Sequence, residues 1–357
     1  MVELSRVLGV EQFLDNLHSS LRGGWHVLCR SNELTLQPVA FSLLNASYVA
    51  YRSPSGKCIV ARDQCPHRRA RLSLGSCDHE GTLQCPYHGW RFNQDGNGIE
   101  IPSLQDGSSI PPRARLDLPS AIEERFGMVF VALEDPIAPL PAVMEDDDPS
   151  FMRGDLPVLT TRGLAGLLAD NFLDVAHFPF VHSATFGAET EVAVPNFEVE
   201  RDALTFTARH QHWFSNREDP GVALGIRPLL QQRALTYRYT APFHLTLTID
   251  FLDAGGTNVI SFFLTPENAT TVRIYSSLWR NDLEGSADRM REAIDFELAV
   301  IEEDLLIQSS YEELVLPLDL TSEVHTKADR TTIELRRVLA DFVNRYLPPS
   351  TVRISES

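Results

Sequence analysis

Two short boxes constrain this chain more than anything else in it. Cys65-Pro-His67-Arg68-Arg69 is followed, with seventeen residues between His67 and the next cysteine, by Cys85-Pro-Tyr87-His88-Gly89-Trp90. Each box sets one thiol and one imidazole in a segment punctuated by Pro and Gly, which reads as a tight loop between strands. Four such side chains converging from two loops make a metal-ligand set. Structural zinc is the competing reading, but its usual spacing is C-x₂₋₄-C with H-x₃₋₅-H. Here Cys and His are mixed within each box, and the first is C-x-H. A metal held between two loop tips needs a small β domain around it. The short apolar segments Trp25–Cys29, Tyr48–Tyr51, Cys58–Ala61 and Gly127–Leu133, separated by Gly, Pro, Asn and Asp turns, predict that domain.

Two thiolates on one iron and two imidazoles on the other are the ligands of a Rieske [2Fe–2S] centre, whose imidazoles raise its reduction potential. Cys65, His67, Cys85 and His88 are the candidates, with Gly75, Gly81 and Gly89 giving the backbone freedom such loops use. Trp90 is expected to pack beside the cluster. Cys29, Cys58 and Cys77 read as packed or solvated thiols. Five cysteines in 357 residues, an odd number, do not make a secreted disulfide framework.

The rest of the chain is organised around that domain. Residues 3–21 read as an amphipathic helix, within an N-terminal segment 1–24 expected to pack on a second domain. The β domain is placed at 25–135. A Pro-rich, acidic stretch follows and reads as a linker, 136–157, with Glu145–Asp148 as a solvated loop. Residues 158–357 form the second domain. It has a helix around Leu164–Phe178, strands at Leu204–His212, Leu235–Tyr239, His244–Phe251, Val259–Leu264 and Val272–Leu278, and helices over 286–310 and 328–346. Strands bracketed by helices predict an α+β domain on an antiparallel sheet, of helix-grip type.

A second constellation lies in Ala169-Asp-Asn171-Phe-Leu-Asp174-Val-Ala-His177-Phe-Pro179-Phe-Val-His182. On a helix, Asn171, Asp174 and His177 share a face. His177 and His182 are about 140° apart on a regular helix and could meet at one metal only if the helix is distorted, for which Pro179 is the expected cause. Two histidines and a carboxylate with open positions form the facial triad of non-haem Fe(II) oxygenases. The carboxylate is expected from the distant helix 286–310, whose apolar stripe is Met290, Ile294, Leu298, Ile301 and Leu305. Glu303 falls opposite that stripe and is expected to be solvated. Glu302 and Asp304 flank it about equally, so geometry leaves both open. His210, His212 and His244 read as packed or exposed strand histidines, with a substrate cavity as the alternative.

The C-P-H-R and C-P-Y-H-G-W boxes, followed by N-x-x-D-x-x-H-x-x-x-x-H, resemble the Rieske non-haem iron oxygenases over nearly the whole chain. The resemblance implies His177 and His182 as iron ligands and, from a Glu-Asp pair preceding an apolar turn, Asp304 as the third. It implies Asp174 as the carboxylate linking the two centres, with Asp170 well below it, and Asn171 as a group that orients rather than binds. It implies a homotrimer, with electrons passing from the cluster of one subunit to the iron of the next. The chain looks most like the shorter monooxygenases, among them caffeine N-demethylases, dicamba O-demethylase and vanillate O-demethylase. The expected reaction is therefore oxidative N- or O-demethylation, or hydroxylation, of a small aromatic or heterocyclic substrate. A cis-dihydroxylating dioxygenase or a ring-closing oxygenase is the alternative, and a non-catalytic electron carrier is disfavoured by the second motif. Gly96 and Gly98 lie between β segments and do not open a helix, so they are no dinucleotide fingerprint. Electrons are expected from a separate NAD(P)H-dependent reductase, directly or through a ferredoxin. A formal charge of −18 argues against nucleic acid and anionic membrane surfaces. No apolar run is long enough to cross a bilayer, and the N-terminus does not read as a signal peptide. The expected location is the cytoplasm.

Overall fold

The computed structural model describes residues 13–346. These divide into two compact units: Leu21–Pro136 with Thr265–Ala269, and the remainder.

The first unit is built from small antiparallel sheets. Strand β1 (His26–Arg30) pairs with β10 (Met128–Ala132), which pairs with β9 (Ala121–Arg125). A second sheet holds β2 (Val39–Leu43), β3 (Ala46–Arg52) and β4 (Cys58–Arg62), and a third holds β5 (Ser76–Cys77), β6 (Leu83–Gln84), β7 (Arg91–Phe92) and β8 (Gly98–Glu100). Strand β3 is buried on both faces because its side chains alternate between two cores. Tyr48 and Ala50 enter one, with Leu28, Phe41 and Val129. Val49 and Tyr51 enter the other, with Leu72, Leu83, Phe92 and the sulfurs' own residues, Cys65 and Cys85. The cysteine ends of both boxes are thus moored in an apolar core, while Pro66, Pro86, Tyr87 and His88 are exposed at the loop tips.

The second unit is an eight-stranded sheet: β11 (Met152–Asp155), β12 (Leu159–Arg162), β13 (Glu198–Asp202), β14 (Thr205–Ser215), β15 (Leu230–Thr240), β16 (His244–Phe251), β17 (Thr257–Asn268) and β18 (Thr271–Arg280). Its order is β11-β18-β17-β16-β15-β14-β13, with β12 also on β18. Helix α3 (Ala287–Gln308) lies against this sheet with a cavity between them. Helix α4 (Arg330–Tyr346) buries Leu335, Val338, Leu339, Phe342 and Val343, a helical i, i+3, i+4, i+7 stripe. No helix of the described residues is long and apolar enough to cross a membrane.

Three expectations change. The described part of the helix read over 3–21 is a two-residue strand, Phe13–Leu14, a turn, and a 3₁₀ segment, Ser19–Gly23. Residues 3–12 lie outside the described residues. Asp15 and Asn16 explain the break, because short polar side chains offer the backbone local alternatives to a helix. Asp15 Oδ1 accepts from Leu17 N–H at 2.8 Å, and buried Asn16 reaches the distant helix that begins at Ala165, accepting from its N–H at 2.9 Å. The segment read as linker over 136–157 contains strand β11, paired with Ser277–Arg280. Within the acidic run, Asp146 is engaged: its Oδ1 accepts from the indole N–H of buried Trp279 at 2.8 Å.

Candidate functional site

The two Cys–His boxes close with the same hydrogen bonds. Cys65 N–H donates to Ala70 O at 2.8 Å and Arg69 N–H to Cys65 O at 2.9 Å; Cys85 N–H donates to Trp90 O at 2.8 Å and Gly89 N–H to Cys85 O at 3.1 Å. Both loops need a left-handed residue four positions after the cysteine, which Gly89 supplies at φ 71° and Arg69 at φ 60°. Buried Asp63 fastens the first loop, accepting from Ser73 N–H and Oγ–H at 2.8 Å each. Cys65 and Cys85 are 2% and 1% exposed. Burial pushes the Cys65 thiol up to about 11, even though backbone N–H groups of His67 and Arg68 oppose it. The His67 and His88 rings stand 4.5 Å apart, and Trp90 stacks on His67 at 4.6 Å, as expected of a residue beside the boxes. His67 Nδ1 is shielded from solvent and has no hydrogen-bond partner. Inner sulfurs, outer imidazoles and an orphaned ring nitrogen fit a [2Fe–2S] cluster.

The second site begins where helix α1 (Ala165–Leu173) ends. Asp174 is its C-cap, in extended conformation, and a one-turn helix α2 (Phe178–Val181) follows, with Pro179 in its first turn. The sequence placed the distortion at Pro179, but the break falls earlier, at Asp174, so His177 has already left α1. Asp174 causes the break by turning its carboxylate onto the following backbone, accepting from Ala176 N–H at 2.8 Å.

Three donor atoms converge across this turn and α3. His177 Nε2 and His182 Nε2 are 3.1 Å apart, and Asp304 Oδ1 lies 3.3 and 3.2 Å from them. His177 Nδ1 faces Asp174 Oδ2 at 3.3 Å and His182 Nδ1 faces Glu303 Oε2 at 2.7 Å. With both Nδ1 positions donating to carboxylates, both Nε2 atoms are left as lone-pair acceptors facing each other. Such an arrangement calls for a cation between them. Three donors cis to one another at roughly 2.0–2.2 Å from one ion lie about 3 Å apart, as these do. Among the described residues, His177, His182 and Asp304 form the one group of three whose ligand atoms lie within 4.8 Å of one another. Without an ion, burial pulls the His177 imidazole down, but Asp174 and Asp304 outweigh it and hold it at about 9. Burial likewise favours neutral Asp304, and the two imidazoles overcome it, holding the carboxyl at about 2.

The alternatives on α3 differ in burial. Glu302 is exposed, whereas Asp304 enters the site and accepts from Asn171 Nδ2 at 3.3 Å. Glu303 corrects the expectation of a solvated side chain: besides His182 it receives Thr185 Oγ1–H at 2.9 Å. The helix buries Met290, Ala293, Glu297, Ile301 and Gln308, a face rotated from its apolar stripe. Asp170 is engaged elsewhere, in an ion network with Arg336 that also takes Glu323. His210, His212 and His244 are buried and do not line the cavity beside the triad.

Gly187 lets the chain pass over this turn. Its N–H donates to His182 O at 2.7 Å, and a Cβ there would stand 2.2 Å from Phe178 O. Gly187→Ala is expected to shift His182 and weaken iron retention roughly tenfold or more, leaving the cluster's visible spectrum intact. Iron analysis of the purified variant checks this, and full occupancy would refute it.

A cavity of about 80 Å³ opens on the triad, walled by Phe172, Phe178, Phe186, Phe214, Phe296, Leu235, Leu247, Ile249 and Ile260. Its polar members besides the triad are Asn171, Tyr237, Glu218, Arg233 and Glu297. Sequence periodicity could not single out Tyr237, Arg233 or Glu297, because in strand and helix alike they occupy inward positions ordinarily given to apolar residues, and Glu218 lies in a turn. Burial, with Glu218 nearby, pushes Glu297 up to about 8 against the pull of Arg280, Arg233 and Asn258. A group whose folded pKa is raised from 4.5 holds a proton that the unfolded chain has released. Its stabilising contribution is present below about pH 4.5 and lost as pH rises toward 8. The stability of the native protein relative to Glu297→Gln should therefore fall by a few kcal/mol between pH 5 and 9. Parallel denaturation profiles for the two proteins across that range would contradict it.

A Rieske-type cluster domain followed by a sheet-and-helix domain carrying a two-histidine, one-carboxylate triad defines a Rieske non-haem iron oxygenase. Residues 24–116 match the Rieske [2Fe-2S] domain, and residues 163–345, just over half the chain, match the vanillate O-demethylase oxygenase C-terminal domain. The chain belongs to that oxygenase family; it is an oxidoreductase whose cofactors are a Rieske [2Fe–2S] cluster and a mononuclear iron. It is 29% identical over 339 residues to the methylxanthine N3-demethylase NdmB of Pseudomonas putida, covering 89% of this chain and 88% of that one. It is 27% identical over 283 residues to the vanillate O-demethylase oxygenase subunit of a Pseudomonas strain, covering 73% and 77%. The solved structure of NdmB from Pseudomonas putida CBB5 matches with a TM-score of 0.77 at 26% identity, covering 92% of this chain and 98% of that one.

Proposed function

We propose that this chain is the terminal oxygenase of a multicomponent monooxygenase that removes an N- or O-methyl group from a small aromatic or heterocyclic substrate. The observation that carries the reading is the aromatic-walled cavity opening directly on His177, His182 and Asp304, a place to hold an apolar ring with one carbon at the triad. Two relatives are named as demethylases, one of N-methyl and one of O-methyl groups. Cys65, His67, Cys85 and His88 would hold the cluster, and His177, His182 and Asp304 the iron. When bound, these groups supply single electrons and the reductive activation of O₂.

The overall change balances as substrate methyl, O₂, two electrons and two protons giving demethylated product, formaldehyde and water. One oxygen atom enters a methyl C–H bond, and the hydroxymethyl group collapses with loss of formaldehyde. The residues of this chain set the geometry. Asp174 and Glu303 each hold one histidine in the tautomer that leaves Nε2 free, Asn171 orients Asp304, and the phenylalanine walls exclude water.

We further infer electron transfer between subunits of a homotrimer, through Asp174. Asp174 is 31% exposed at its side chain while it engages His177, and His88 lies exposed at its loop tip; both ends of such a path are reachable from outside. The electron source is a separate NAD(P)H-dependent reductase, with or without a ferredoxin, and the setting is the cytoplasm. The test is product analysis with a surrogate reductase, NADH and O₂ on N-methyl, O-methyl and methyl-free ring compounds. Formaldehyde with loss of a CH₂ unit is the expected result. Gain of one oxygen alone would make the enzyme a hydroxylase, and gain of two oxygens and two hydrogens a dihydroxylating dioxygenase.

A further inference from the structure

The cavity has two ends. On α3, Glu297 and Asp304 are seven residues apart and so share a face about 10 Å apart along the axis, with Val300 between them on the cavity wall. On β15, Arg233 and Tyr237 point to the same side about 13 Å apart. Tyr237 lies within reach of Asp174 and Asp304, whereas Arg233 lies within reach of Glu218 and Glu297. Triad and charged group thus lie at opposite ends of one apolar slot.

We propose that the charged end is a substrate subsite, in which Arg233 and Glu297 hold a carbonyl oxygen of a neutral ring substrate; this rests on the demethylase reading and specifies its substrate class. Arg233 is 4% exposed and lies over the rings of Phe251 and Phe214, 5.0 and 5.3 Å from their centroids. Its Nη2 donates to Asn216 Oδ1 at 2.8 Å, but its Nε–H is buried with no acceptor. Glu297 is 8% exposed, and its hydrogen bond is a long one, from Asn258 Nδ2 at 3.4 Å. A buried donor without a partner costs about 1–3 kcal/mol, which an acceptor on the ligand would relieve.

Charge balance selects the kind of acceptor. Arg280 pairs with Glu218 and Asp282 at 2.8 Å each, and Arg233 stands 3.9 Å from Glu218. Two guanidinium groups are matched by two carboxylates, so no surplus positive charge awaits an anion. Glu297, the remaining carboxyl, is held neutral at pH 7 by its burial and can donate its proton to an acceptor; it offers a cation no ionised partner. A carbonyl oxygen accepts from both Arg233 Nε–H and the Glu297 O–H. Allowing ~3 Å for the hydrogen bond, the rest of the interval suits one six-membered ring with the carbonyl and the methyl-bearing atom at opposite ends.

The test measures binding to the iron-loaded enzyme by calorimetry, using four probes that share a para-methoxyphenyl group. These are para-methoxyacetophenone, para-ethylanisole, in which a methylene replaces the carbonyl, para-methoxybenzoate and para-methoxybenzylamine. The ketone is expected to bind at least about tenfold more tightly than ethylanisole. Glu297→Gln, which keeps a donor, should retain most of that preference, and Glu297→Leu should reduce it to within about twofold. Equal binding of ketone and ethylanisole to the native enzyme, tightest binding of the benzoate or the benzylamine, or no binding of the ketone would overturn the subsite. Formaldehyde release is read separately. Its production from ketone and ethylanisole alike, at equal affinity, sinks the subsite but not the demethylase. Tight ketone binding with no formaldehyde from any methyl compound does the reverse.

Discussion

Asp304→Ala is expected to lower turnover at least a thousandfold and to strip the mononuclear iron, taking the metal content from three irons per chain to two. On the proposed assignment the substitution removes the anionic donor from an otherwise neutral pair of imidazoles, and rate effects of that size correspond to about 4 kcal/mol of transition-state stabilisation. Asn171 also loses its acceptor at 3.3 Å. Glu302→Ala is the matched control: the side chain is exposed, two residues from Asp304, and on the same helix. It should leave iron content and turnover unchanged. An active Asp304→Ala protein, or an iron-free Glu302→Ala protein, would reverse the assignment of the third ligand.

The second large effect is expected at Asp174. Asparagine keeps the size and one oxygen of the side chain, enough to accept from Ala176 N–H as Asp174 Oδ1 does at 2.8 Å. It removes the negative charge beside His177. Both metal centres should therefore remain filled, and reduction of the cluster by a reductase should be normal. Reoxidation of the reduced cluster in the presence of substrate and O₂, followed by its visible absorption, should slow roughly a hundredfold, and turnover with it. Full turnover at intact iron content would remove Asp174 from the electron path and leave it only as the turn-former seen here.

The parts of this molecule that were readable in sequence are those fixed by local spacing. The Cys–His boxes are short loops with one residue order, and the strand at His244–Phe251 coincides with the alternating run read for it. His177 and His182 were legible because their turn is local, although the distortion was read at Pro179 and lies at Asp174. What sequence missed is what depends on how an element is rotated in its socket. Glu303 looked solvated because it opposes the apolar stripe of α3, yet the ligand turn folds over that side and brings His182 and Thr185 to it. Glu297 and Arg233 carry no local signature; their meaning comes from a cavity assembled by strands and a helix far apart in the chain. Asp15 and Asn16 broke an expected helix through side-chain hydrogen bonds that hydrophobic periodicity does not weigh.

Glu303 and Asp304, neighbours on α3, grip the two nitrogens of a single ring: the first holds His182 Nδ1 and the second faces its Nε2. That clasp makes the helix a lever. One of its turns bears on the His182 ring from both sides, and another, two turns away, forms the wall of the slot at Glu297. The same helix thus joins the far wall of the slot to the clasp. Any coupling it carries between the two is reciprocal by thermodynamic necessity: the factor by which a filled slot changes the affinity for iron is the factor by which iron changes the affinity of the slot.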